Sequence, residues 1–310
     1  MGRPLVHRSP MPGLGLSAGI TLTMLSLVVI LPIGALVLQG ASFGIAGIWD
    51  TIHRERVWKA LFLSFRISLY AALFNLVFGV ILAWVLARYS FPGRRILDAA
   101  VDLPFALPTA VAGIALTALY APNGLFGAAW KDHIAPALNI ALEVPAYILN
   151  LVAVPLGFEA FVFEVPPRIA YATPGIFIAL VFVGLPFVAR TVQPVIHEIE
   201  REVEEASATL GASRYYTLAR VIWPMLMPAA LTGFALSLAR AVGEYGSVIF
   251  IAGNKPLLTE IAPLLVVIQL EQFNYDNAAA IGIAMLVISF AMLLVINLIQ
   301  VWSRRRIGYV

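Results

Sequence analysis

From Ala279 to Trp302 the chain runs for 24 residues without a charged side chain. A helix of about 20 apolar residues crosses the roughly 30 Å hydrocarbon core of a bilayer and satisfies its own backbone polar groups as it does so. Five more stretches are long and apolar enough to do the same, at about 17–39, 60–88, 96–120, 172–193 and 225–252. A seventh, 140–163, is apolar but holds Glu143, Pro145, Pro155 and Glu159. Its carboxylates each cost a few kcal/mol in hydrocarbon and its prolines interrupt the hydrogen-bond ladder, so it is set aside. The expected fold is all-α and polytopic, with six transmembrane helices.

Composition agrees. The chain is 61% hydrophobic and 12% charged, against roughly 45–50% and about 25% in soluble domains. There is no cysteine, which excludes disulfides, iron–sulfur clusters, thiolate zinc sites and thiol nucleophiles. The N-terminal "MGRPLVHRSPMPGLGLSAGI" has the basic start of a secretory leader. Its apolar run continues to about Leu38 with no small-residue cleavage site, so a retained first span is expected.

Basic residues set the expected orientation. With the N-terminus inside, twelve fall on the cytoplasmic side (Arg3, Arg8, Arg88, Arg94, Arg95, Arg190, Arg201, Arg214, Arg220 and Arg304 to Arg306). Six fall outside (Arg54, Arg56, Lys59, Lys131, Arg168, Lys255), and Arg66 and Arg240 lie within spans. That bias follows the positive-inside rule. The expected layout is a cytoplasmic tail 1–16, a six-helix membrane domain 17–302 with an external insertion 121–171 and a cytoplasmic loop 194–224, and a basic tail 303–310, with both termini cytoplasmic.

The 194–224 loop is long for a membrane protein. "HEIEREVEEASATLG" predicts a short amphipathic helix with Ile199, Val203, Ala206 and Leu210 on one stripe. Glu198, Glu200, Glu202, Glu204 and Glu205 lie early, where acidic groups suit the helix dipole. Gly211 then ends the helix in a left-handed residue. Ser213 caps a second helix, "RYYTLARVIW", which Pro224 stops just before the fifth span. A solvated connector would explain the charges but not Tyr215, Tyr216 and Trp223.

The spacing Glu205-Ala206-Ser207, then Gly211 after three residues, then Val221-Ile222-Trp223-Pro224 after nine, resembles the EAA loop of ABC-importer permeases. Ser207, Val221 and Trp223 depart mildly from the family's Ala, Ile and Leu. The run "SLARAVGEYGSVIFIAGNKPLLTEIAPLL" is similar to the T subunit of sulfate/thiosulfate permeases, through Gly243-Glu244-Tyr245-Gly246-Ser247, Gly253-Asn254 and Thr259-Glu260-Ile261-Ala262-Pro263. The likeness covers about 60–125 and 172–302, and it lapses at about 130–170 as an insertion would make it. It implies a type I importer permease fold in a bacterial-type inner membrane. The implied partners are a W-type permease, two copies of a cytoplasmic ATP-binding subunit, an extracytoplasmic sulfate-binding protein and membrane lipid. ATP and Mg would be used by the ATPase alone, which the loop would contact through Glu204, Glu205, Ala206, Gly211, Tyr215, Tyr216 and Pro224.

The residues themselves support that division of labour. The lysines, Lys59, Lys131 and Lys255, are followed by Ala, Asp and Pro, so none sits in a phosphate-cradling Gly-x4-Gly-Lys-Ser/Thr loop. His7, His53, His133 and His197 have no metal-ligand spacing, and no catalytic constellation or nucleic-acid-binding pattern is present. No cofactor is expected on this chain. Ionisable groups inside spans are functional suspects because they are costly there. Arg240 and Glu244, at i and i+4, are the first pair to suspect as a pathway or gate, with Ser247 and Thr109 as further candidates; Asn75 and Arg66, on the second span, are weaker ones for which a packing or interfacial role is favoured. A buried ion pair that only fixes packing remains an alternative. So do a molybdate or tungstate permease and an anion transporter driven by an ion gradient.

Overall fold

The structure, a computed structural model, describes residues 14–142 and 165–307. Expectations for the outermost tails and for most of 140–163 lie outside the described residues. Everything regular among the described residues is helix, and six helical segments are long and apolar enough to cross a membrane.

The fourth span, Thr173–Glu198, is the central one. It packs between the second span, Glu55–Arg88, and the fifth, Trp223–Val242. With little hydrophobic drive between helices in lipid, close approach depends on small residues. Here Val188 of the fourth span fits between two glycines. A Cβ on Gly79 would come within 2.8 Å of the Val188 Cβ, and one on Gly233 within 2.8 Å of its Cα. The first span, ending in Leu31–His53, packs against the sixth, Tyr275–Ile307, and kinks at Gly44, whose φ is +82°.

Two spans are broken where the sequence predicts continuous helix. The third, expected over 96–120, is divided into Arg94–Val101, Leu103–Ala106 and Thr109–Tyr120. Proline explains the second break, because Pro108 forces Leu107 out of helical conformation to φ −90° and ψ 135°. Thr109–Tyr120 is only about 18 Å long, so it crosses a bilayer only with help from its neighbours. After a turn, helical backbone resumes from Leu125 to Leu142, inside the expected external insertion. The fifth span, expected over 225–252, ends at Val242, and the chain bends through 243–247 before a single turn, Val248–Ile251. Non-helical backbone at membrane depth is tolerated only inside protein or along a water-filled cavity. Span three covers this bend. Gly113 lies so close that a Cβ there would be 2.7 Å from the Ser247 Cα.

Candidate functional site

The connector between the fourth and fifth spans is built in an order different from the expected one. Ile199 and Glu200 are extended, and the helix is Arg201–Thr209. This interruption takes Ile199 off the expected stripe, while Val203, Ala206 and Leu210 stay together along one groove. Ile199 is buried in the membrane domain, while Leu210 is 88% exposed and Ala206 is also exposed. Gly211 has φ +81° and nothing within 4 Å of where a Cβ would stand, so a side chain there meets strain rather than a clash. Ser213 caps the next turn, its Oγ accepting from the Tyr216 N–H at 3.3 Å. Ser207 and Thr217 hydroxyls share a hydrogen bond of 2.8 Å that pins the two arms together.

Pro224 does not stop the second helix. Arg214–Thr217 continues through a π-helical turn, Leu218–Ile222, into Trp223–Val242 without interruption. Pro224 occupies the first turn beyond that wider coil, where a missing N–H costs little. Glu204 has a partner within the chain. Its Oε1 lies 3.0 Å from Arg88 Nη2, which also donates to the Ile199 carbonyl at 3.0 Å, so Glu204 ties the connector to the second span. Glu205, Ala206, Tyr215 and Tyr216 stay exposed. Two of them, Ala206 and Tyr216, border an open groove together with Leu210, Gly211 and Val221.

At the bend in the fifth span, four of the suspected residues converge. Glu244 is buried, its Oε2 2.5 Å from Arg240 Nη1. Its Oε1 accepts from both the backbone N–H and the hydroxyl of Ser247, each at 2.9 Å. Thr109, at the break in the third span, packs against Gly246. Asn75 is not brought to this bend. It is wholly buried among the second, fourth and fifth spans beside Ser237. With its amide turned, it bridges the Val181 carbonyl and the Leu185 N–H, just before Pro186 within the fourth span. There it staples the second span to the fourth and fifth, the packing role favoured for it from the sequence. Arg66 carries no carboxylate partner among the described residues and lies over the Phe62 ring at 5.2 Å, on an exposed face of the second span.

One cluster has no signature in the sequence. Arg190 donates to both carboxylate oxygens of Asp102 at 2.7 Å, to the Asp98 carboxylate at 2.7 Å, to the Asp98 carbonyl at 2.8 Å and to Gln193 at 2.7 Å. It straps the fourth span to the first pieces of the third, about two turns before the connector. Among the described residues, no three His, Asp or Glu side chains group as metal ligands would.

A long helix running from a groove-bearing connector into a broken, ion-paired span is the arrangement to compare with known proteins. Residues 75–309 match the binding-protein-dependent transport system inner membrane component family. The chain belongs to that family. It is therefore a multi-pass inner-membrane permease component. It is 42% identical over 289 residues to the "Probable sulfate transport system permease protein cysT" of Nephroselmis olivacea, covering 93% of this chain and 90% of that protein. It is 39% identical over 303 residues to the "Sulfate transport system permease protein CysT" of Escherichia coli (strain K12), covering 97% and 98%. One chain of a bacterial alginate ABC transporter, crystallised with its alginate pentasaccharide-bound periplasmic protein, superposes with a TM-score of 0.67 at 18% identity, over 96% of each chain. That likeness is one of fold.

Proposed function

We propose that this permease component is the T-type transmembrane subunit of an ATP-driven sulfate and thiosulfate importer. It forms half of the translocation pathway, beside a W-type permease. Two cytoplasmic ATPase copies supply the energy using ATP and Mg, and an extracytoplasmic binding protein delivers the anion. This chain catalyses nothing itself and holds no nucleotide. Both termini and the connector face the cytoplasm, a layout that the basic-residue bias supports.

The observation that carries the reading is the connector, a left-handed glycine between two short arms, an open groove and exposed Tyr215 and Tyr216, joined without a break to the fifth span. ATP-driven closure of the ATPases moves the groove occupant, and the helix passes that movement to the bend at Arg240, Glu244, Ser247 and Thr109. The names of the relatives support sulfate as the cargo.

The test is uptake of labelled sulfate into proteoliposomes carrying the assembled complex, with ATP and an ionophore varied separately. Uptake that needs ATP and survives the ionophore is expected. Transport of molybdate but not sulfate would replace the substrate. Uptake by this chain alone, collapsed by the ionophore, would replace the mechanism. Gly211→Val is expected to insert normally but lose ATPase docking and at least tenfold of uptake, whereas Gly211→Asn, which tolerates positive φ, keeps both. ATP-driven uptake at the normal rate by the valine variant would sink the docking role.

A further inference from the structure

The ion pair at the bend of the fifth span is lopsided. The Glu244 side chain is 1% exposed and Arg240 is 35% exposed. Glu244 does not depend on Arg240 for its place, because Ser247 supplies two donors to Oε1 from within the bend itself. Arg240 gives one nitrogen to Oε2, and none of its nitrogens is both buried and unpartnered. Its spare N–H groups therefore lie on the open side. Gly243, beside it, has nothing within 4 Å of where a Cβ would stand, so that side is spacious.

A tetrahedral dianion stripped of water needs several donors at once, and the planar guanidinium fork supplies them in the right geometry. A lone guanidinium at membrane depth would hold such an anion too well for transport. A carboxylate at 2.5 Å that is anchored by other groups answers that problem. It cancels the charge at rest, stays in place when the anion engages the fork, and repels the anion afterwards. Discontinuous spans are where transporters place such sites.

We infer that Arg240 is the side chain through which the oxyanion is held at this level of the membrane, and that Glu244, fixed by Ser247, sets how tightly Arg240 grips it. The inference rests on the importer reading above and goes beyond it by naming the contact. Glu244 acts as a positioning and tuning residue and does not touch the anion.

The experiment uses the whole complex in proteoliposomes, with labelled sulfate and the binding protein, and reads four things: uptake, ATP hydrolysis stimulated by the binding protein, yield of assembled complex and its thermal midpoint. Arg240→Gln is expected to lower uptake at least tenfold while stimulated ATP hydrolysis stays within about twofold. Glu244→Gln is expected to slow uptake several-fold and leave labelled sulfate on the complex after gel filtration, which wild type does not retain. The double variant Arg240→Gln/Glu244→Gln separates the roles. A pair that only fixes packing is repaired by neutralising both partners, so uptake at the wild-type rate overturns the inference. Uptake still at least tenfold down in a fully assembled complex supports it. Arg240→Lys keeps the charge and the pair but loses the fork. It is expected to assemble with an unchanged midpoint and transport about tenfold more slowly, and full uptake by this variant also overturns the inference. A wild-type complex that moves no sulfate removes the importer reading itself, whereas a transporting wild type with a restored double variant removes only this inference.

Discussion

Arg190 and Arg240 both stand on apolar helices and both face carboxylates, at opposite ends of the domain. Arg190 is saturated, with five hydrogen bonds to two aspartates, a backbone carbonyl and Gln193. Arg240 meets one carboxylate oxygen and keeps the rest of its fork on the open side. The residue type and its location in a span are the same. What differs is how many donors the protein itself consumes. A guanidinium with every donor occupied can only brace its neighbours, and one with donors to spare can take a ligand.

The strongest way to break this contrast is Arg190→Ala. It leaves Asp98 and Asp102, four residues apart, facing each other without a cation. An expected loss of about 2 kcal/mol follows, moderated because the aspartates are nearly half exposed. It is read as a lower thermal midpoint of the purified complex with uptake falling only as assembly falls. A normal midpoint would place Arg190 with the ligand-taking arginines. Next comes Arg190→Lys, whose compact ammonium reaches one or two of the acceptors, for an expected loss of about 1 kcal/mol by the same melt. At 190 the lysine swap is thus read in stability and at 240 in transport, and an exchange of those outcomes would invert the comparison. Asp98→Asn should be smallest, at or below about 0.5 kcal/mol, because Asp102 keeps both its bonds to the fork. A larger loss in the melt would show that the strap is carried by Asp98.

Much of this architecture is legible in the residues alone. Hydropathy averaged over 20 residues is insensitive to where a helix bends, so six crossings survive even though two of them are broken. The bends themselves leave local marks. "LPFALP" carries the proline that frees Leu107, and Gly243 and Gly246 flank Glu244. The pairing of Arg240 with Glu244 is readable because the two lie one helical turn apart. Arg190 reads only as a charge near the membrane surface, since its partners are 88 and 92 residues away and no periodicity connects them. Asn75 illustrates another limit, because a polar side chain on a span looks the same in sequence whether it lines a pathway or staples its span to its neighbours. Pro224 reads as a stop because nothing in the residues announces the π-helical turn that precedes it. Ile199 reads as part of the stripe with Val203, Ala206 and Leu210 because the extended pair Ile199–Glu200 carries no glycine or proline to betray the break.

The unbroken helix from Arg214 to Val242 has a mechanical consequence. At 1.5 Å per residue it is a rod of about 40 Å. Pivoted at its connector end, a tilt of only about 3° carries the far end sideways by about 2 Å, comparable to the width of one oxygen atom. The domain therefore has a gear ratio, in which a displacement too small to disturb the glycine-lined packing around Val188 still changes which atoms Arg240 can reach.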